Sequence, residues 1–159
     1  KINKFNKADA NTIKNRNNQD VNGWEIIEYH GADISNTFNI PLTYTVNDVT
    51  KDVIAVGDHA FKHTTVNGSG GSDIVNNKLM KLGDHSFEGI TAIKSFTSTS
   101  LLDIGSYSFN NGGLVYLETP NLRSIGSYAL LFYIQHPRVI HDSAIFIRFS
   151  PYRHQVDRR

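Results

Sequence analysis

The sequence predicts a β-rich α/β solenoid, a short right-handed stack of about four coils with parallel strands and a cap at each end. Three observations predict this fold. One short phrase recurs four times, an aliphatic residue precedes each copy at a fixed distance, and a second apolar cluster follows two of the copies. A coil of roughly twenty residues cannot bury its own apolar face, so it has to stack on its neighbours.

The recurring phrase joins an aliphatic residue to glycine and ends on a small and then a large apolar position. It is VGDHAF, LGDHSF, IGSYSF and IGSYAL, at Val56–Phe61, Leu82–Phe87, Ile104–Phe109 and Ile125–Leu130. Successive glycines are 26, 22 and 21 residues apart. Glycine fits a backbone position that needs positive φ, or one that the next coil approaches closely. The small residue then lets the coils stack without a void, and the large one fills the interior.

A further aliphatic residue stands three positions before each phrase, whereas a straight strand would place its inward residues two apart. This spacing indicates a strand that bends into a turn. The predicted interior is formed by Val53, Val56, Phe61, Leu79, Leu82, Phe87, Leu101, Ile104, Phe109, Leu122, Ile125 and Leu130. The second apolar cluster, Ile93 with Phe96 and then Leu114 with Leu117, predicts another strand in each of two coils.

These phrases at this period resemble the BspA-type leucine-rich repeat, a family typical of bacterial surface proteins and abundant in some parasitic protists. The resemblance covers about residues 23 to 133 and is strongest over 53 to 130. The stretch Gly23–Pro41 resembles the opening of many such domains. Two features depart from the family pattern: no copy has the usual cysteine after the aromatic, and Leu130 replaces phenylalanine. The resemblance implies a leucine-rich-repeat solenoid at the cell surface or secreted.

The chain divides into three predicted regions. Residues 1–21 are polar and asparagine-rich, which predicts a flexible leader. Residues 22–133 form the solenoid with an N-terminal cap, in which Trp24 and Ile26 indicate a strand over the first coil, and Asn67–Asp73 predicts an inserted loop. Residues 134–159 form a C-terminal cap and a basic tail, where Ile145 and Ile147 fit a closing strand.

Charge and composition narrow the classes of function. Sixteen Lys and Arg against fifteen Asp and Glu give a net charge of +1, so nothing draws the chain to nucleic acid or to an anionic membrane. The chain has no cysteine, which excludes disulfides and thiolate metal sites. We predict a monomer without membrane insertion. The lack of an initiator Met and of a signal peptide indicates a processed or trimmed part of something longer.

Histidine is the residue type that raises the question of catalysis. His59 and His85 occupy the same slot in successive copies, so they should lie within about 5 Å of each other. With Asp58 and Asp84 beside them, they could hold zinc. Tyrosine fills that slot in the next two copies, however, which favours a partly exposed stacking ladder. The serines and glycines fit neither a nucleophile elbow nor a phosphate-binding loop, so we predict no enzyme, no metal and no cofactor.

A binding function has more support, because a solenoid presents equivalent side chains from every coil on one sheet face. The candidate ligand-binding residues on the predicted strands are Lys94, Thr97, Tyr116 and Glu118. By the resemblance, we expect a recognition or adhesion module for a host or matrix protein, or for a glycan. The alternatives are a structural spacer in a larger surface protein and an appendage that targets a hydrolase to its substrate.

Overall fold

The computed structural model describes residues 7–29, 38–62, 72–131 and 146–148. This part of the chain is strand-rich, and within it helix is confined to Leu131. Eleven strands fall in the described ranges. They are β1 (Lys7–Lys14), β2 (Asp20–Glu28), β3 (Thr43–Val46), β4 (Val49–Val56), β5 (Ser72–Val75), β6 (Lys81–Leu82), β7 (Ile93–Thr97), β8 (Asp103–Ile104), β9 (Tyr116–Glu118), β10 (Ser124–Ile125) and β11 (Phe146–Arg148).

The larger of the two sheets contains the aliphatic residues that open each phrase. Its strands run in the order β1-β2-β4-β6-β8-β10, with β3 paired to β4. From β2 onward the neighbours along this path are parallel, and equivalent residues of successive copies pair with each other. Val56 pairs with Leu82, Leu82 with Ile104, and Ile104 with Ile125. The repeated phrase therefore stacks copy upon copy in one register.

The second sheet contains the apolar cluster that follows the phrase. Its order is β11-β9-β7-β5, and all three pairings are parallel. Ile74 pairs with Phe96, and Phe96 pairs with Leu117, each of them fully buried. The strands predicted from Ile93–Phe96 and from Leu114–Leu117 are thus confirmed as β7 and β9.

One apolar cluster lies between the two sheets and receives side chains from both. Eleven of the twelve predicted interior residues are buried in it, and Ile125 packs against it while partly exposed. The phenylalanines of the phrase stack within the cluster, with ring centroids 4.7 Å apart between Phe61 and Phe87 and 5.6 Å apart between Phe87 and Phe109. The interior was therefore well predicted by the spacing of the apolar residues.

The N-terminal prediction was wrong in one respect. Residues 1–21 were expected to form a flexible leader, yet Lys7–Lys14 pairs antiparallel with β2 along its whole length. Ile13 packs with Ile54 in a second, smaller apolar cluster on the sheet formed by β2, β4 and β6. Polar residues are compatible with this hairpin because much of it is exposed, while Ile13 and Ala8 dock the strand on the two apolar clusters. Residues 1–6 lie outside the described part.

The predicted caps are only partly within the described residues. The strand expected from Trp24 and Ile26 is present as β2 and pairs parallel with β4. The predicted inserted loop at Asn67–Asp73 overlaps β5, which begins at Ser72 and is a regular strand of the second sheet. At the C-terminal end β11 is a strand as expected, and residues 132–145 and 149–159 lie outside the described part.

The glycines of the phrase stand where neighbouring backbones approach closely. A Cβ on Gly105 would lie 2.5 Å from the carbonyl carbon of Gly83 and 2.6 Å from the amide nitrogen of Asp84. None of the four phrase glycines has positive φ. The left-handed conformation falls two residues later, at His59, His85, Tyr107 and Tyr128, with φ between 55° and 60°. Close approach, and not positive φ, is thus the reason for glycine at this slot.

Candidate functional site

The outward side of the second sheet presents two columns of side chains from β5, β7 and β9. Along each strand the central apolar residue points into the core, so the residues on either side of it point outward. The first outward column is Asp73, Ser95 and Tyr116. The second outward column is Val75, Thr97 and Glu118. Equivalent positions of three successive units therefore share one face.

Hydrogen bonds order the polar groups of these columns. The hydroxyl of Ser95 donates to Oδ1 of Asp73 over 2.7 Å, between neighbouring strands. The hydroxyl of Tyr116 donates to Oε1 of Glu118 over 2.5 Å, between the two columns on β9. These bonds fix the tyrosine ring and both carboxylates in position, which lowers the conformational entropy that a binding partner would have to remove.

Val75 gives the second outward column an apolar end. Its side chain is 52% exposed, and Val75 is one of the few large hydrophobic residues of the described chain that are this accessible. It lies directly beside Thr97 in the sheet, on the same face as Tyr116. An exposed valine and a half-buried tyrosine among hydroxyls and carboxylates resemble the mixed composition of a protein interface.

The four predicted site residues do not all lie in the columns. Thr97, Tyr116 and Glu118 do, and Thr97 pairs directly with Glu118. Lys94 does not, because Ser72 pairs with Ile93 and Asp73 with Ser95, which makes Lys94 the extra residue of a bulge. Its amino group lies over Gly113, 2.9 Å from where a Cβ would stand. Lys94 is therefore a flank of this face and not a member of it.

Asp73 and Val75 could not be recognised as outward residues from the predicted loop, since both adjoin the glycine-rich segment. A usable signal was present. Asp73 stands 22 residues before Ser95, and the intervening period matches the spacing of the later copies. Aligning Ile74 with Phe96 and Leu117 would have placed both residues on the outward side of a strand.

The histidine and tyrosine slot of the phrase forms a continuous stack of rings. Ring centroids are 4.5 Å apart for His59 and His85, 4.9 Å for His85 and Tyr107, and 5.2 Å for Tyr107 and Tyr128. The ring planes of the first two pairs are nearly parallel, at 8° and 3°. The predicted stacking ladder is confirmed as geometry. Each ring covers the face of its neighbour in the ladder, so a ligand would contact mainly the edges of the rings.

The aspartates before this stack are engaged with the backbone. Oδ1 of Asp58 accepts the amide of Asp84 over 2.7 Å, and Oδ1 of Asp84 accepts the amide of Ser106 over 2.8 Å. Each carboxylate therefore holds the turn of the next copy. Within the described ranges, no group of three or more His, Asp or Glu side chains could hold a metal ion.

Glu88 joins the ladder to the following unit. Its carboxylate contacts Nδ1 of His85 at 2.7 Å and accepts a hydrogen bond from the side-chain amide of Asn110 over 2.9 Å. Partial burial raises the pKa of Glu88, but the hydrogen bonds from Asn110 and His85 and the charges of His85 and His59 outweigh it. The net result is a pKa below the usual glutamate value, so the carboxylate is held in its charged form.

Comparisons of the chain with protein-family models, with curated proteins and with solved structures found no match. None of the helical structure in the described ranges is long and apolar enough to cross a membrane.

Proposed function

We propose that this chain is a non-catalytic recognition module of a cell-surface or secreted protein, and that it binds a protein partner through the two outward columns. The observation that carries the proposal is the composition of that face, which sets Tyr116 and the exposed Val75 among hydroxyl and carboxylate groups. Aromatic side chains that are held in place by hydrogen bonds are common anchors of protein interfaces.

The architecture that we propose for the module is a right-handed leucine-rich-repeat solenoid of about four coils, of the BspA type. Two findings support it. Equivalent residues of successive copies pair in parallel in both sheets. The phrase glycines lie against the backbone of the preceding copy, and a Cβ on Gly83 would stand 2.7 Å from the amide nitrogen of Asp58. Such a stack offers one continuous binding face.

A protein partner fits this face better than a glycan does. A sugar is recognised chiefly through its hydroxyl groups, and these would have to replace the existing bonds from Ser95 to Asp73 and from Tyr116 to Glu118. A protein side chain can instead cover Val75 and the tyrosine ring and leave those bonds in place. The gain then comes from apolar area removed from water.

The test is a binding screen of the purified chain over extracellular-matrix proteins and over a glycan array. The site variant combines Val75→Ser with Tyr116→Ala. The matched control combines Leu42→Ser with Tyr128→Ala, an exposed apolar residue and an exposed tyrosine away from the columns, 51% and 44% accessible. We expect the site variant to weaken protein binding by roughly tenfold or more and the control to leave it within about twofold.

Three results would overturn the proposal. Binding to glycans alone would mean that the partner is a glycan and not a protein. This result would favour a glycan-binding adhesin or an appendage that targets polysaccharide. The absence of binding to any matrix protein and to any glycan would favour a structural spacer, whose sheet face needs no ligand. Equal loss of binding in the site variant and the control would move the binding face elsewhere.

A further inference from the structure

A groove of about 350 Å³ lies on a different part of the molecule, between the turn that joins β1 to β2 and the smaller apolar cluster. The outward columns contribute no residue to it. Its volume is at the lower end of the range of small-molecule sites. The site is built from three parts: an apolar floor, a rigid turn and a polar far rim.

The floor is a column of large apolar side chains from successive repeats. Ile54, Met80 and Leu102 each follow the first aliphatic residue of their copy. They belong to the smaller cluster, apart from the main core. In the fourth copy this slot holds Arg123, which pairs with Asp103 over 3.1 Å. The apolar column thus stops after three repeats, which gives the floor a defined length.

The near wall is the hairpin turn, and Asn15 makes it rigid. Its Oδ1 accepts the backbone amides of Asn17 and Gln19 over 2.9 and 3.0 Å. The backbone amide of Asn15 also donates to the carbonyl of Gln19 over 2.9 Å. This network holds Arg16 and Asn17 at the rim of the groove. Because Asn15 fixes the turn, the side chain of Arg16 is not needed to shape it.

The far rim is tied to the turn by one long-range hydrogen bond. Nη1 of Arg16 donates to Oδ1 of Asn121 over 2.7 Å. The amide of Asn121 in turn donates to the carbonyl of Thr99 over 2.7 Å. Thr99 and Ser100 complete this rim with two hydroxyl groups. A ligand in the groove would therefore meet hydroxyls and amides along its edges and hydrocarbon beneath it.

The groove carries a positive charge at Arg16 that no described carboxylate neutralises. Lys78 is neutralised by Asp52, with 3.2 Å between Nζ and Oδ2. Arg16 makes its hydrogen bond to a neutral amide, and among the described residues no carboxylate pairs with it. Most of the five N–H donors of its guanidinium thus remain for a ligand. Their fork geometry matches a planar carboxylate.

We propose that this groove binds a saccharide that carries a carboxylate, such as a uronic acid residue. The carboxylate pairs with Arg16, the apolar side of the sugar ring lies on Met80 and Leu102, and ring hydroxyls bond to the groups of the rims. The proposal is independent of the protein-binding face, because the groove shares no residue with the outward columns.

Met80 provides a direct readout, since it is the single methionine of the chain. In a chain labelled with ¹³C-methyl methionine, its one resonance reports on the floor of the groove. We expect a saturable shift with methyl β-glucuronide. Methyl β-glucoside, which lacks the carboxylate, and propionate, which lacks the ring, should each bind at least about tenfold more weakly.

Variants at the hairpin locate the carboxylate. Arg16→Gln should weaken methyl glucuronide binding roughly tenfold, and Arg16→Lys should fall between this variant and the parent. The matched control is Lys14→Gln, which removes an exposed hairpin cation that pairs with Asp20 outside the groove. Affinity of the control should stay within about twofold. Fluorescence of Trp24 in each variant checks that the fold is retained.

Four outcomes would overturn the proposal. These are the absence of a saturable Met80 shift, equal affinity for the glucoside and the glucuronide, unchanged affinity in Arg16→Gln, and equally tight binding of a glucoside 6-sulfate. The last would mean that the groove takes any anionic sugar and does not select a carboxylate. None of these outcomes bears on the binding screen at Val75 and Tyr116.

Discussion

At the residue scale, each turn of the repeat has one position that requires close backbone approach and another that requires positive φ. A single glycine often meets both requirements, but here they fall on different residues. One position has to admit the backbone of the preceding copy, and glycine fills it because a Cβ has no room. The position two residues later takes positive φ, yet histidine or tyrosine occupies it. A left-handed residue with a large side chain carries a cost of about 1–2 kcal/mol. The stacking of its ring on the equivalent ring of the next copy helps to offset that cost.

We expect Gly105→Ala to be among the most destabilising small substitutions in the chain. The new methyl group would meet the carbonyl carbon of Gly83 and the amide nitrogen of Asp84, and backbone atoms cannot rotate away. The loss should be about 3 kcal/mol, at the upper end of the range for overpacking. Urea unfolding followed by the fluorescence of Trp24, the single tryptophan, measures it.

Gly89→Asn is the matched control for that substitution. Gly89 has φ of 76°, and nothing lies within 4 Å of the position that a Cβ would take. Asparagine tolerates this conformation, so the loss should stay below about 1 kcal/mol. Equal losses for the two variants would contradict the assignment of close approach to Gly105.

The pH dependence of stability should contain a contribution from Glu88. Its pKa is lowered in the folded protein because the bonds from Asn110 and His85 and the nearby histidine charges outweigh burial. A lowered folded pKa means that the stabilisation is present above the unfolded pKa and is lost as the pH falls through the folded value. The free energy of unfolding should therefore decline from about pH 5 to about pH 3 less steeply in Glu88→Gln than in the parent. Parallel profiles would contradict this prediction.

At the element scale, the sequence predicts strands well where the repeat is regular. Val56, Leu82 and Ile104 mark β4, β6 and β8 because the same slot recurs with the same spacing. It fails for β1 and β5, and both failures have a physical cause. A mostly exposed edge strand keeps few apolar residues, so its docking is marked by Ile13 and the small Ala8. In β5 the adjacent glycine-rich segment lengthens the period from 22 to 26 residues and hides the match.

The site shows the same limit. Thr97, Tyr116 and Glu118 could be placed on a shared face from strand alternation alone. The displacement of Lys94 could not, because a bulge depends on how two strands pair. The groove could not be predicted either, since it requires Arg16 to lie beside Asn121, 105 residues further along the chain. Long-range juxtaposition of this kind leaves no trace in local periodicity.

Both sheets pack on the phenylalanine of the phrase, so truncating this side chain should lower the free energy of unfolding substantially. Phe87 is fully buried and lies against Phe61, Phe96 and Phe109. Phe87→Ala should lower the free energy of unfolding by about 3–5 kcal/mol, because neighbouring copies on both sides prevent collapse around the cavity. Tyr128→Ala, at the exposed end of the ladder, should cost less than about 1 kcal/mol. Thermal or urea melts compare the two, and matching midpoints would contradict a shared core at Phe87.

At the scale of the whole molecule, the decisive feature is that one apolar cluster runs from Ile26 in β2 to Leu130 after β10. No single copy encloses a core of its own. Each copy contributes one layer of the cluster, and the glycine amide of each turn donates to the carbonyl of the preceding copy, as the amide of Gly126 does to the carbonyl of Ile104 over 2.7 Å. Arrays of this kind owe their stability largely to the interfaces between units. In the solenoid of about four coils that we propose, losing one interface would remove a large share of the total stability.

We therefore expect the described repeats to unfold in a single cooperative transition. Trp24 reports on the N-terminal side, where its indole donates to the carbonyl of Tyr44 over 2.8 Å. The amide of Gly126, resolved in a ¹⁵N-glycine-labelled sample, reports on the last copy of the phrase. Their urea midpoints should coincide, because neither side can bury its apolar slice without the other. An earlier midpoint at Gly126 would mean that the last copy detaches by itself. The interfaces would then be unequal, and the stack would open from its C-terminal side while the hairpin, the groove and β4 remained folded.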